Sequence, residues 1–353
     1  MADHFANRYV ALTPEHDTSS YARGYGTASA GSKARKYGEV DDESFGHNFE
    51  VQYRASMSQY ATKSSQQGKE YSEGGINLAY QPDGFCALLW YGLFGDVAAA
   101  NSGAYHASGS SVGTHLWRDA VDHILPSFTI EVGRDEKEHT YTGMCLSRLS
   151  VGANMGEYVT MSADFFGKAE GSLSTLATPT YMGAALDAYH FTDVEVKFNS
   201  DAAASTVIKS ISFEWNTNLD TENCYALGNK TCLRQPQPQM LELTGSVEFA
   251  KNLVATGAEQ EPSYNQMIAV DGLTMNPDAS YGASAMANYT SENYAIYAVF
   301  TSGSNISSIL LPHVRWEAPS STVSGRDTQT YSLNFTALLD NSGSNPLNSL
   351  AAV

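Results

Sequence analysis

The sequence predicts an all-β protein with one or two short helices, built as a tandem duplication of a β-sandwich or β-barrel unit. Three observations carry this. Short runs in which apolar and polar residues alternate recur along most of the 353 residues. Charged residues make up only 16%, well below the roughly one quarter of an average domain, and Ser, Thr, Asn, Gly and Tyr fill the gap. Finally, two segments about half a chain apart resemble each other, in the same order.

The elements follow in chain order. Residues 1–45 are polar and Gly-punctuated and read as an N-terminal arm with little core of its own. Phe49-Glu-Val51-Gln-Tyr53 is the first clear alternating strand, and Gly75–Tyr80 begins another. In Asp83–Val97, the residues Cys86, Leu89, Trp90 and Leu93 fall on one helical face. Asp83 suits the N-cap and Gly95 the stop. The Ala/Ser/Gly-rich 98–113 reads as a long loop, and His115–Ile124 as a second short helix. Residues 126–168 then form a three-strand antiparallel meander. Phe128, Ile130 and Val132 alternate, Tyr141–Ser150 follows a polar turn, and Tyr158–Phe166 follows Gly152–Gly156.

After a loop-like 168–188, alternation resumes at Val194–Phe198 and Ile208–Trp215. The stretch 216–239 is a turn-rich loop holding Cys224 and Cys232. Leu241–Phe249, Tyr294–Phe300, Ile309–Trp316 and Thr328–Leu338 are strands, Tyr264–Val270 a short helix, and the end from Asp340 a frayed polar tail. Gly74–Ala79 resembles Gly245–Ala250, an offset of 171 from 74 to 245. Thr160–Phe165 resembles Thr330–Phe335, an offset of 170 from 160 to 330. Phe49–Tyr53 is matched to Val194–Phe198. The expected division is an arm at 1–45, β units at 46–188 and 189–340, and a tail at 341–353.

Net charge is −18. So acidic a chain lacks the Lys and Arg for tight phosphate binding, although DNA could pass it without being gripped. The four cysteines, Cys86, Cys145, Cys224 and Cys232, contain no C-x-x-C and fit a reducing compartment better than a disulfide framework. No apolar leader opens the sequence and no apolar run is long enough to span a membrane, so synthesis in a cytoplasm is expected.

Catalytic, cofactor and metal residues are expected to be absent. Gly109-Ser-Ser111-Val-Gly113 matches a nucleophile elbow by letter but lacks the strand and helix that strain such a turn, which leaves a Ser111 hydrolase as an alternative. Gly24-Tyr-Gly26 lacks the third glycine of a dinucleotide loop. His115 and His123 have no zinc spacing, and Asp41–Glu43 and Asp135–Glu138 no EF-hand spacing. The sequons at Asn229, Asn288, Asn305 and Asn334 carry little meaning without a secretory signal.

The order of segments resembles the tail tube (major tail) proteins of tailed bacteriophages. The resembling segments are SFTIEVG…YTGMCLSRLSV…GEYVTMSADFFGK and then VEVKFN…IKSISFEWNTNL…LELTGSVEFAKN. They include Asp164-Phe-Phe-Gly-Lys168, Trp215-Asn-Thr-Asn-Leu219 and Leu241–Ser246, and the resemblance spans roughly 45–340. It implies tandem tail-tube domains, in a structural virion protein without catalysis. Stacked rings would surround a channel for DNA ejection. A duplicated chain would form trimeric, pseudo-hexameric rings, a single-unit chain hexameric ones. It implies other tail proteins as partners (tape measure, terminator, with or without a sheath), no cofactor, no membrane, and DNA passing without specific binding. A virion decoration or adhesin protein stays open as an alternative.

Overall fold

The computed structural model describes residues 8–15, 24–27, 35–58, 60–94, 113–116, 125–181, 187–198, 208–250, 294–303, 305–317, 320–321, 330–338 and 349–352. It is mostly β. The strands of the first half are β1 (Tyr9–Pro14), β2 (Lys36–Gly38), β3 (Val40–Glu43), β4 (Gly46–Arg54), β5 (Ser64–Ala79), β6 (Gly113–Leu116), β7 (Ser127–Arg134), β8 (Lys137–Asn154), β9 (Thr160–Gly167) and β10 (Ala169–Glu170). Those of the second are β11 (Val194–Phe198), β12 (Ile208–Asn216), β13 (Leu219–Asp220), β14 (Gln237–Pro238), β15 (Glu242–Ala250), β16 (Tyr294–Ser302), β17 (Asn305–Trp316), β18 (Ser320–Ser321), β19 (Thr330–Ala337) and β20 (Ser349–Ala352). One α-helix, α1 (Gly84–Phe94), lies between β5 and β6.

The central meander forms where its alternation places it, but β7 is buried on both faces, with Thr129 and Glu131 buried as well as Phe128, Ile130 and Val132. Val132, Tyr141, Leu149, Met161, Ala163 and Phe165 are buried, and the polar residues between the β9 positions face away. β8 runs for 18 residues. Its first part pairs with β7. Its second part lies between β9 and β12, with Arg148 opposite Asn216 and Asn154 opposite Ser210. The pairing β8–β12 joins the two halves into one continuous sheet.

Each half repeats one strand order. In the first, β3 and β4 pair with β5, β5 with β9, β9 with β8, β8 with β7, and β7 with β1. In the second, β12 pairs with β15, β15 with β19, β19 with β17, β17 with β16, and β16 with β11. Register repeats too. Ile76 faces Ala163 as Val247 faces Leu333, and Leu146 faces Phe165 as Trp316 faces Phe335. Even the irregularities coincide. The register steps by one residue between Val40 and Asp42 and between Ile208 and Ser210. It steps again between Phe128 and Ile130 and between Tyr294 and Ile296. Bulges are specific features of a ladder, and these fall at matching places in the two strand orders. An aromatic pair is repeated as well: Phe45 with Phe165 at 6.0 Å, and Phe213 with Phe335 at 5.9 Å.

Several expectations are corrected. The N-terminal arm contributes β1, buried at all six positions and paired with β2 and β7. It is β1, not Phe49–Tyr53, that holds the place of β11. Phe49–Tyr53 lies in β4, with Phe49, Val51 and Tyr53 exposed. Gly113–Leu116 is a strand rather than the start of a helix, and the polar tail supplies β20, paired with β6 and β17. The segment 117–124, the helix expected at 264–270 and most of the 98–113 loop lie outside the described residues.

Helix α1 starts where Asp83 Oδ1 accepts the Cys86 N–H at 2.8 Å, the expected N-cap. Its burial is not one-sided, because every residue from Gly84 to Leu93 is buried. The helix is keyed to both halves. Tyr91 meets Phe128 edge-on, Trp90 meets Trp215 edge-on at 5.1 Å, and Trp90 Nε1 donates to Tyr80 Oη, which is itself 2.6 Å from Ser307 Oγ. Each such aromatic contributes about 1.5–3 kcal/mol through burial, plus the edge-to-face term.

Candidate functional surface

The run β3/β4–β5–β9–β8–β12–β15–β19–β17/β18 is the broadest face of the molecule. Alternation sorts its side chains. One face carries Ile76, Leu78, Leu149, Val151, Ile211, Phe213, Trp215, Val247, Phe249, Leu333 and Phe335, all buried. The other carries Asn77, Thr160, Ser162, Ser150, Ser210, Ser212, Thr244, Ser246, Ser332, Asn334 and Thr336, between exposed and half-buried.

Some of these hydroxyls bond within the face. Ser150 Oγ lies 2.6 Å from Ser162 Oγ, Ser212 Oγ lies 2.8 Å from Ser246 Oγ, and Thr160 Oγ1 donates to the Gly152 carbonyl. Asn77 Nδ2 donates to Asp42 and Asn48 Nδ2 to Glu73. Each such bond occupies a group that would otherwise face solvent.

Charge on this face is mainly negative. Its described strand positions include Asp42, Glu73, Asp164, Glu214, Glu242 and Glu248, against Lys69, Arg148, Lys209 and Arg315. Arg148 is engaged by its neighbours: Nη2 is 2.5 Å from Glu214 and Nη1 is 4.0 Å from Asp164.

The β4–β5 hairpin extends past this sheet. Tyr53, Met57 and Tyr60 at its end are exposed to 71%, 107% and 111%. The stretch 217–241, which follows β12 as the hairpin follows β3, folds back instead of projecting. The Glu70 N–H donates to the Lys230 carbonyl at 2.9 Å, Lys230 Nζ donates to Gln67 at 3.0 Å, Lys69 pairs with Glu222, and the Lys69 ammonium sits 5.0 Å from the Tyr225 ring centroid. This stretch is tied by a Cys224–Cys232 disulfide, which overturns the expectation of four free thiols; Cys86 and Cys145 are free and buried.

Behind the sheet, Glu15 is a buried carboxylate that the sequence reading missed. Its Oε1 accepts from the Gly143 N–H (2.8 Å) and Thr129 Oγ1 (3.0 Å), and its Oε2 from the Gly26 N–H (2.8 Å) and Ser127 Oγ (2.6 Å). Burial pushes its pKa above the usual carboxylate value while these donors pull it down. Gly24-Tyr-Gly26 is therefore a turn closed on Glu15, with Gly26 at φ +67°.

The other residues singled out from sequence scatter. Ser111, His123 and Asn288 lie outside the described residues, and His115 is in β6. Asn229 lies in the 217–241 loop, Asn305 opens β17, and Asn334 lies on β19. The acidic clusters serve the fold: Glu43 accepts both Arg134 Nε and Nη2, and Asp135 in the β7–β8 turn pairs with Arg8. Among the described residues no group of three or more His, Cys, Asp or Glu could hold a metal ion, and no helix is long and apolar enough to cross a membrane.

The sheet is greasy behind, hydroxyl-lined and acidic in front, and among the described residues its strands β3, β4 and β18 have a strand neighbour on one side only. The chain matches the family model of the phage tail tube proteins over residues 15–337, and it belongs to that family. It is thus a structural component of a phage virion, the major tail protein that builds the tail tube. No curated protein matches it.

Proposed function

We propose that three copies of this chain close into a ring of pseudo-six-fold symmetry. Rings stack into a tube, and the hydroxyl-lined acidic face lines the channel through which the genome passes during ejection. The observation that carries the channel is that face: its strand positions are uncharged hydroxyls and amides between carboxylates, the carboxylates outnumber the cationic side chains, and Arg148 and Lys69 are each paired with an acid. DNA phosphates gain affinity from free Lys and Arg, and here they meet mainly like charge and neutral hydroxyls, so the duplex slides.

The ring count rests on tandem duplication, which the matched strand orders, registers and bulges support. A chain with two equivalent units needs half the copies of a single-unit chain. The exposed β4–β5 hairpin, apolar at its end, is the element suited to reach an adjacent ring. Expected tail partners are a tape measure inside the channel, a terminator at its end and, in a contractile tail, a sheath outside; assembly takes place in the host cytoplasm. The reading assigns no catalysis.

Immunogold labelling of virions with antibody raised against residues 53–62 tests the reading. Gold on the rings released from the tail shaft by mild dissociation, with a pore in each ring, is the expected result. Gold confined to the capsid or to the tail tip would make the chain a decoration or adhesin protein and overturn the proposal.

A further inference from the structure

The stretch 218–240, between β12 and β15, has almost no apolar interior. Only Cys224, Cys232 and Pro236 are buried in it, while Leu227 stands fully exposed and Leu233 half exposed. A segment without a core of its own is ordered by cross-links rather than by burial. Here the two-residue ladder of β13 with β14 closes the base. The Cys224–Cys232 bridge, with the Leu233 N–H donating to the Cys224 carbonyl at 2.9 Å, closes a covalent ring beyond it.

That ring holds the base of the β4–β5 hairpin. β9 accompanies β5 only as far as Ser72, opposite Gly167. Two residues nearer the hairpin's end, the Glu70 N–H donates instead to the Lys230 carbonyl at 2.9 Å. Lys230 Nζ reaches Gln67, the Tyr225 hydroxyl lies 3.5 Å from the Glu70 carbonyl, and the Tyr225 ring faces the Lys69 ammonium. Tyr225 and Lys230 both lie between the two cysteines. None of these partners is buried, so their seating depends on the ring keeping its shape.

We propose that Cys224 and Cys232 form a redox latch on that hairpin: a dithiol in the reducing cytoplasm where the chain assembles, a disulfide once the particle is released. The timing rests on the assembly compartment proposed above and not on the ring. The oxidant is a small-molecule disulfide. One cysteine thiolate attacks a sulfur of that disulfide and expels a thiolate; the other cysteine thiolate attacks the mixed disulfide and expels the second. The two cysteines give up two electrons and two protons, and the oxidant leaves as two thiols. Cys86 and Cys145, free and buried, take no part. Before closure the stretch is an open loop, and Tyr225 and Lys230 leave β5 together. Closure removes the loop's freedom and fixes the base of the hairpin.

Two measurements test this. Infected cells are lysed directly into a denaturing alkylating solution, released virions are treated alike, and mass spectrometry counts the alkylated cysteines. Four in the intracellular chain and two, Cys86 and Cys145, in virions is the expected result. Four in virions, or two inside the cell, overturns the switch. Amide hydrogen exchange of the purified full chain is then compared in oxidised and reduced glutathione. Reduction should quicken exchange at 67–70 by about tenfold or more and leave 160–166 in β9 unchanged. Cys224→Ser/Cys232→Ser should match the reduced wild type in both buffers. Equal exchange at 67–70 in the two buffers, or acceleration at 160–166 as well, overturns the latch. Wild type is compared with itself, so the result holds even where the double variant does not fold. Neither readout needs a ring: failure of ring formation leaves the latch standing, and four thiols in virions leave the ring standing.

Discussion

Replacing Glu15 tests whether the N-terminal strand is pinned by hydrogen-bond geometry or merely by burial. Each carboxylate oxygen accepts one hydroxyl and one backbone N–H. The hydroxyls of Ser127 and Thr129 can rotate and accept instead, but the N–H groups of Gly26 and Gly143 cannot. Glu15→Gln presents one oxygen and one NH₂, so in either flip one fixed N–H faces a donor. An unsatisfied buried group costs about 1–3 kcal/mol, which sets the loss for Gln at about 2 kcal/mol. Glu15→Ala orphans both N–H groups and leaves a void, for about 4 kcal/mol. Urea denaturation followed through the buried Trp90 and Trp215 reads both as shifts in midpoint. A Gln variant within about 0.5 kcal/mol of wild type would refute the argument. The pH dependence carries a sign as well. Burial raises the folded pKa of Glu15 above its unfolded value, so its contribution is fully present below the ordinary carboxylate range and is lost as pH rises through the folded pKa. The advantage of wild type over Glu15→Gln should therefore widen on acidification through that window.

Four further outcomes are expected. Gly245→Val should destabilise by about 1–3 kcal/mol through overpacking, because a Cβ there meets Phe335 Cζ at 2.3 Å; Gly74→Val should do likewise against the Phe45 Cα at 2.4 Å, and thermal melts report both. Met57→Ser/Tyr60→Ser should leave the melting midpoint unchanged, since both side chains are fully exposed, while sedimentation shows rings failing to stack into tubes. Cys86 and Cys145 should resist a disulfide reagent at pH 8 until the protein is unfolded, because burial pushes both thiols well above their usual pKa and removes the thiolate. Ser150→Arg/Ser212→Arg should create salt-dependent retention of double-stranded DNA by assembled tubes, measured by co-sedimentation, where wild-type tubes retain none.

Local pattern in the sequence determined the strands and their faces. Ile211 to Trp215 and Val247 to Phe249 announce their buried side because successive Cβ atoms in a strand point to opposite faces. The offsets of 171 and 170 were legible for the same reason, since segments with the same alternation read alike. Asp83 marked the start of α1 because capping is a matter of a few adjacent residues. What alternation cannot encode is the identity of the neighbour. Phe49, Val51 and Tyr53 alternate as a core strand does, yet they are exposed, because β4 extends past the core that covers the rest of the sheet. Tyr9–Pro14 shows no alternation because both of its faces are covered, and α1 is buried all round because it lies between two halves. The turn that closes on Glu15, the meeting of Cys224 with Cys232, and the pairing of β8 with β12 depend on which distant segments the packed core brings together. Tertiary structure alone decides that, because the free energy of a contact belongs to two segments at once and the local pattern describes only one.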